Sequence, residues 1–254
     1  MVLKIEHIAK NFGGIQALKD VSFSVEQGDV LGLIGPNGAG KTTMFNLITN
    51  MFPPSSGDVV FKGEDITGIK PHEITKKGIC RTFQNIRLFS DMSVCENILV
   101  GNHSRLEANV FQSVFKTKKQ RHEEQKALEE ANEILEVIDL LEDANTIAKN
   151  LSYGQQRRLE IGRALASKPE LILLDEPAAG MNEKETNDLF DLIQKIKELG
   201  VTILLIEHDM PLIMRVCNRI VVLNFGEKIA EGSPVEIQND PAVITAYLGV
   251  EEED

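Results

Sequence analysis

The chain has 254 residues, 42% hydrophobic and 26% charged, a globular balance that can bury a sizeable core as one large domain or as a domain with a substantial insertion. No stretch approaches the roughly 18 to 20 uncharged apolar residues that span a bilayer. Lys+Arg 27 against Asp+Glu 39 leaves a net charge of −12, which argues against bare nucleic acid or an anionic membrane surface as a partner. Cys80, Cys95 and Cys217 are odd in number and unpatterned, which argues against a disulfide framework or a zinc site and fits a reducing cytoplasm.

In chain order, MVLKIEHIAK lacks the long apolar core of a signal peptide and reads as a strand. Residues 2–8, 21–27 and 57–62 alternate apolar and polar side chains, the period of an antiparallel sheet with one face solvated. VLGLI at 30–34, LILL at 171–174 and VTILLI at 201–206 are unbroken apolar runs, as expected of central parallel strands covered on both faces. From about Asn85 to Asn150 polar helical sequence takes over. Ala127, Ala131, Ile134, Ile138 and Leu141 form one stripe, with Glu123, Glu124, Glu129, Glu130 and Glu136 mostly off it. The expected layout is a core of residues 1–84 and 151–254 interrupted by a helical subdomain at 85–150. Beyond His208 the pattern predicts a helix over Met210 to Val216, a hairpin turning at Phe225-Gly226, a last helix near Pro241 to Leu248, and a frayed EEED tail.

GPNGAGKTT at Gly35–Thr43 matches G-x-x-x-x-G-K-[ST] between a buried strand and a helical run, the context that motif requires. Gly35, Gly38 and Gly40 let backbone N–H groups converge on phosphate oxygens, and the helix N-terminus adds roughly half a positive charge. Lys41 then meets the β- and γ-phosphates, and Thr42 offers a hydroxyl to Mg²⁺; Asn37, Ala39 and Thr43 complete the cofactor-binding stretch. In LILLDE, Asp175 emerges at the carboxyl end of an apolar strand, where ligands of open α/β sheets bind, and is placed to hold the metal's water shell. Glu176 follows, positioned to orient or deprotonate an attacking water.

These motifs define a P-loop NTPase, with kinases, GTPases, helicases and transporter motors all in play; LSYGQ at Leu151–Gln155 decides among them. Ser152 and the backbone at Tyr153 and Gly154 open a second helix, hence a second anion-binding end in the same chain. LSYGQQRRLEIGRALASKPELILLDEP resembles the signature region of ATP-binding-cassette ATPases. That resemblance implies a RecA-like α/β core with an antiparallel β subdomain and an inserted helical subdomain. It also implies a head-to-tail dimer in which the signature residues Ser152, Tyr153, Gly154 and Gln155 of one subunit close on ATP held by the other. It assigns Phe12, in KNFGGIQAL with Ala17, to the adenine side, Gln84 in RTFQN to the metal and attacking water, and His208 in LLIEHD to the γ-phosphate. Two departures stand out: Asn182 occupies the place of an interfacial Asp, and Tyr153 that of a frequent Gly.

LDEPAAGMN, LLIEHDM and the ending DPAVITAYLG extend the likeness over nearly the whole chain to cassette subunits of branched-chain amino-acid importers. The implied cofactors are ATP and Mg²⁺. The implied partners are a second cassette, integral membrane permeases docking near Asn85–Val100, and an extracytoplasmic substrate-binding protein, with the chain on the inner face of the cell membrane. The competing class, a soluble cassette ATPase of DNA repair or translation, fits poorly with a single cassette at net charge −12. A P-loop small-molecule kinase gives no reason for LSYGQ and His208 together.

Overall fold

The computed structural model describes residues 1–102 and 118–248. Two sheets organise it. In the first, β1 (Leu3–Phe12) pairs antiparallel with β2 (Ile15–Val25) on one side and β4 (Ser56–Phe61) on the other, and β5 (Glu64–Asp65) closes the edge. The second has the order β10-β9-β3-β8-β7-β6, with β3 (Val30–Ile34), β6 (Ile79–Arg81), β7 (Leu171–Asp175), β8 (Thr202–Ile206) and β9 (Arg219–Asn224) parallel. Only β10 (Glu227–Gly232) runs antiparallel, paired with β9 through the turn at Phe225-Gly226.

Every residue of β3, β7 and β8 is buried, which is why these strands carry no polar alternation. One face of this sheet turns Leu31, Leu33, Leu171, Leu173, Leu204 and Ile206 toward α1 (Lys41–Ile48) and the antiparallel sheet. The other turns Val30, Ile34, Ile172, Leu174, Ile203 and Leu205 toward the helices. Those helices are α3 (Val94–Asn102), α4 (Lys118–Val137), α5 (Tyr153–Ala166), α6 (Glu183–Glu198) and α7 (Met210–Val216), and α3, α4 and α5 also pack on one another. Short helices α2 (Pro71–Lys77) and α8 (Pro234–Gln238) and the C-terminal α9 (Pro241–Leu248) complete the described chain.

Two differences from the sequence expectations have physical causes. β1 and β2 run on to Phe12 and back to Ile15, because register shifts between Ile5 and Asn11, with His7 and Asp20 at positive φ, break the alternation that marks a strand. The stripe in α4 is shifted. The helix ends at Val137 and Asp139 turns with φ 53°, so Leu141 is exposed, and Leu135 and Leu140 join Ala131 and Ile138 in the core. The EEED tail, and the side chains of Glu123 and Glu124, lie outside the described residues.

Candidate functional site

The loop Gly35–Gly40 leaves the C-terminal end of β3 and enters α1. Gly40 adopts φ 104°, and a Cβ there would lie 2.8 Å from the Ala17 carbonyl oxygen and 2.7 Å from Leu18 Cδ2, so only glycine lets the loop press on β2. Lys41 is 6% exposed, and its ammonium donates to the Gly35 carbonyl at 2.6 Å and the Pro36 carbonyl at 3.0 Å. Burial lowers the Lys41 pKa, opposed by the charges of Glu176 and Asp175. Asn37, Gly38 and Thr42 are exposed around the loop, Thr43 is half-buried and Ala39 is buried beneath it. Phe12 is a surface aromatic, 45% exposed at the end of β1, edge-on to Phe52 with ring centroids 5.2 Å apart.

Three side chains from three separate loops converge beside this cradle. Glu176, the residue after β7, has φ 47°, a costly conformation for a side chain of its size, and is anchored by its N–H to the Ile206 carbonyl at 2.9 Å. Its Oε2 accepts from Gln84 Nε2 at 2.7 Å, and its Oε1 lies 2.7 Å from His208 Nε2. Gln84 and His208 therefore hold the two oxygens of one carboxylate. Asp175, the last residue of β7, is buried and paired at 2.7 Å with Arg81, whose other guanidinium nitrogen donates to Asn46 Oδ1 at 2.7 Å.

Residues that carried no signal in the sequence support this cluster. Arg157, fully buried in α5, donates to the Phe83 and Gln84 carbonyls at 2.6 Å each and pairs with Glu160 at 2.7 Å; Glu160 in turn accepts from the Arg87 N–H at 3.1 Å. The helix that starts at Ser152 thus grips the backbone that presents Gln84. Glu207, 4% exposed, accepts from the N–H groups of Ala178 at 2.6 Å, His208 at 2.8 Å and Asp209 at 3.3 Å, tying the segments after β7 and β8 together. Burial raises its pKa and those hydrogen bonds pull the other way. Both residues are charged side chains whose burial follows only from tertiary packing.

At the far end of α5, Ser152 is the N-cap: its hydroxyl accepts from the Gln155 N–H at 3.3 Å, and Gln155 Oε1 accepts from the Ser152 N–H at 3.0 Å. Gln155 also donates to Asp143 at 3.0 Å, so its side chain is committed within the chain. Tyr153 is exposed and stands against Gly180, and Gly154 is buried. Asn182 caps α6, accepting from the Glu185 N–H at 3.0 Å, a cap that Asp would form equally well.

Among the described residues no three His, Cys, Asp or Glu side chains gather into an all-protein metal cage. Thr42, Gln84 and Asp175 instead offer few, hard oxygen donors beside a phosphate cradle, which fits Mg²⁺, a cation that keeps water and takes further ligands from phosphates.

A phosphate loop at the carboxyl end of β3 in a mostly parallel sheet, a carboxylate pair at the end of β7 with β8 between the two strands, and a second helix N-terminus in the same chain define a nucleotide-binding cassette. The family model described as ABC transporter matches residues 18–179, and the chain belongs to this ATP-binding-cassette family; a second, described as branched-chain amino acid ATP-binding cassette transporter, matches residues 227–253. The chain is 48% identical to the high-affinity branched-chain amino acid transport ATP-binding protein BraF of Pseudomonas aeruginosa, over 98% of each chain. The crystal structure of the ADP conformation of MJ1267, an ATP-binding cassette of an ABC transporter, is 36% identical with a TM-score of 0.84, over 98% of each chain. The dimeric post-hydrolysis structure of the cassette MJ0796 with ADP and Pi is 27% identical with a TM-score of 0.76, over 91% of this chain and 98% of that one.

Proposed function

We propose that this chain is the ATP-hydrolysing subunit of an importer of branched-chain or related amino acids, working at the inner face of the cell membrane. It pairs with a second cassette and docks on membrane permeases served by an extracytoplasmic binding protein. The observation that carries the hydrolytic part is the convergence of Gln84 and His208 on the two oxygens of Glu176, beside Lys41 and Asp175. The convergence carries the chemistry alone; the transported solute is read from the likeness to BraF and from the match over residues 227–253.

In this reading Gly38, Ala39, Gly40 and Lys41 hold the β- and γ-phosphates, with Asn37, Thr42 and Thr43 flanking, while Phe12 and Ala17 serve the adenine side. Thr42, Gln84 and Asp175 would hold Mg²⁺, which neutralises charge on the phosphate oxygens. Glu176 takes the proton of the attacking water, a contribution of about 10²–10⁴-fold for a positioned base. Gln84 orients that carboxylate, and His208 contacts both it and the γ-phosphate. Ser152 and Gly154 of a second copy, with Tyr153 and Gln155 beside them, meet the same γ-phosphate from the opposite side. ATP is then adhesive as well as substrate, because hydrolysis removes the contact that holds the pair closed.

The segment Asn85–Val100 is the part that faces the permease. A cavity of about 480 Å³ lies between this segment and residues of β6 and α5, lined in part by Arg87, Leu88, Phe89 and Val100 on one side and Arg81 and Arg163 on the other, and Phe89 is 45% exposed with the Arg163 guanidinium 5.5 Å from its ring. The test is reconstitution with the permeases and binding protein in vesicles. ATP-driven accumulation of leucine, isoleucine or valine, lost with Glu176→Gln and uncoupled from ATP binding by Phe89→Glu, supports the reading. ATP hydrolysis without uptake of any of these amino acids refutes the assigned transport.

A further inference from the structure

The N–H end of α5 is not open in this chain. Glu185, in the first turn of α6, reaches across to it, and its Oε1 accepts from the Gly154 N–H at 3.2 Å. Its Oε2 accepts from the Asn182 N–H at 3.1 Å, while Asn182 Oδ1 accepts from the Glu185 N–H at 3.0 Å. A Cβ on Gly154 would stand 2.8 Å from Glu185 Oε1 and 2.9 Å from its carboxyl carbon, so the carboxylate seats there only because residue 154 is glycine. An anionic oxygen accepting a backbone N–H at the positive end of a helix is the interaction that the proposed function gives to a γ-phosphate at this spot.

One N–H cannot serve two anions, and a phosphate arriving beside a carboxylate meets like-charge repulsion. We propose that Glu185 is a resident anion that blocks the signature end of α5 and that the γ-phosphate of ATP on the partner cassette displaces it during closure. The displaced carboxylate has a place to go. A cavity of about 320 Å³ at the joint N-termini of α5 and α6, which Glu185 already borders, is lined by Ser152, Arg158, Asn182, Lys184 and Asp188, two cations against one further carboxylate.

The inference rests on the two-copy reading above, and the experiment separates the two. Dissociation constants of the dimer are measured by analytical ultracentrifugation in saturating ATP and Mg²⁺ for Glu176→Gln and for the same protein carrying Glu185→Gln or Glu185→Ala. Helix-terminus charge effects at two sites per dimer predict a constant about 3- to 30-fold smaller with either added substitution. ADP affinity of the monomer should stay unchanged, because Glu185 does not touch its own phosphate loop. Glu185→Gln keeps an oxygen for the α6 cap, and Glu185→Ala removes it. If Glu185 were only a brace between α5 and α6, both would leave association unchanged or weaken it, and that result overturns the inference. A Glu176→Gln parent that stays monomeric with ATP bound overturns the two-copy reading as well.

Discussion

The clamp between α5 and the segment that carries Gln84 gives the sharpest stability prediction. Arg157→Met keeps side-chain length and deletes a guanidinium that is 0% exposed, leaving Glu160, 2% exposed, without its ion-pair partner and two carbonyls without their donor. Breaking a buried pair from one side costs about 3–5 kcal/mol, against a total of about 5–15 kcal/mol for an ordinary domain. At about 2–4 °C per kcal/mol for a chain of this size, thermal unfolding should drop by about 6–20 °C. Arg157→Met with Glu160→Met removes both charges and should regain much of that loss, since an apolar pair of similar volume is commonly no worse than the ion pair. Hydrolysis should not return with it, because the Phe83 and Gln84 carbonyls still lack their donor, the Arg87 N–H now loses Glu160 as well, and Gln84 is no longer held against Glu176. Urea titrations with m held constant, read beside ATPase rates, give both numbers. A single variant less than about 1 kcal/mol below the parent, or a double variant with full activity, would refute the reasoning.

Other outcomes follow from the same geometry. Lys41→Ala should weaken ATP binding in a fluorescent-nucleotide titration, whereas Glu176→Gln should bind normally and lose turnover by at least about 10²-fold, the low end for a positioned base; near-normal turnover would remove Glu176 from its role. Because the folded pKa of Lys41 is lowered, the unfolded chain holds this proton more firmly over the window between the lowered value and 10.5. Wild-type stability relative to Lys41→Met should therefore rise with pH in that window, by at most about 1.4 kcal/mol per unit, and a flat or falling difference in alkaline denaturation curves would contradict the burial of the ammonium. Burial pushes Cys217 up to about 12 and also raises Cys80 and Cys95. At pH 8 a thiol reagent should modify half-buried Cys95 first, and rapid labelling of Cys217 before unfolding would show that the packing around it is wrong.

Much of the site was legible because its pieces are local. The loop at Gly35–Thr43 and the carboxylates Asp175 and Glu176 announce themselves by spacing and by following unbroken apolar strands, and β3, β7 and β8 lie where those runs put them. Ser152 was readable as a helix opener, and it caps α5. What escaped was set by contacts between distant segments. Arg157, Glu160 and Glu207 look like ordinary charged surface residues until folding buries them against loops from other strands. Their polar groups bond to backbone N–H and C=O partners up to 74 residues away, for which no sequence period exists. The extended ends of β1 and β2 were hidden by bulges near His7 and Asp20, and Leu141 by a helix that stops at Val137. Glu185 carries an ordinary capping signal toward Asn182, and nothing in its spacing points to Gly154, 31 residues earlier.

The account rests on two copies completing each nucleotide site, and the mass of Glu176→Gln in saturating ATP and Mg²⁺ tests that directly. Sedimentation equilibrium should give twice the 28.2 kDa of the chain with ATP and the single-chain mass with ADP. A single-chain mass under both conditions, with ATP shown to be bound, would contradict it.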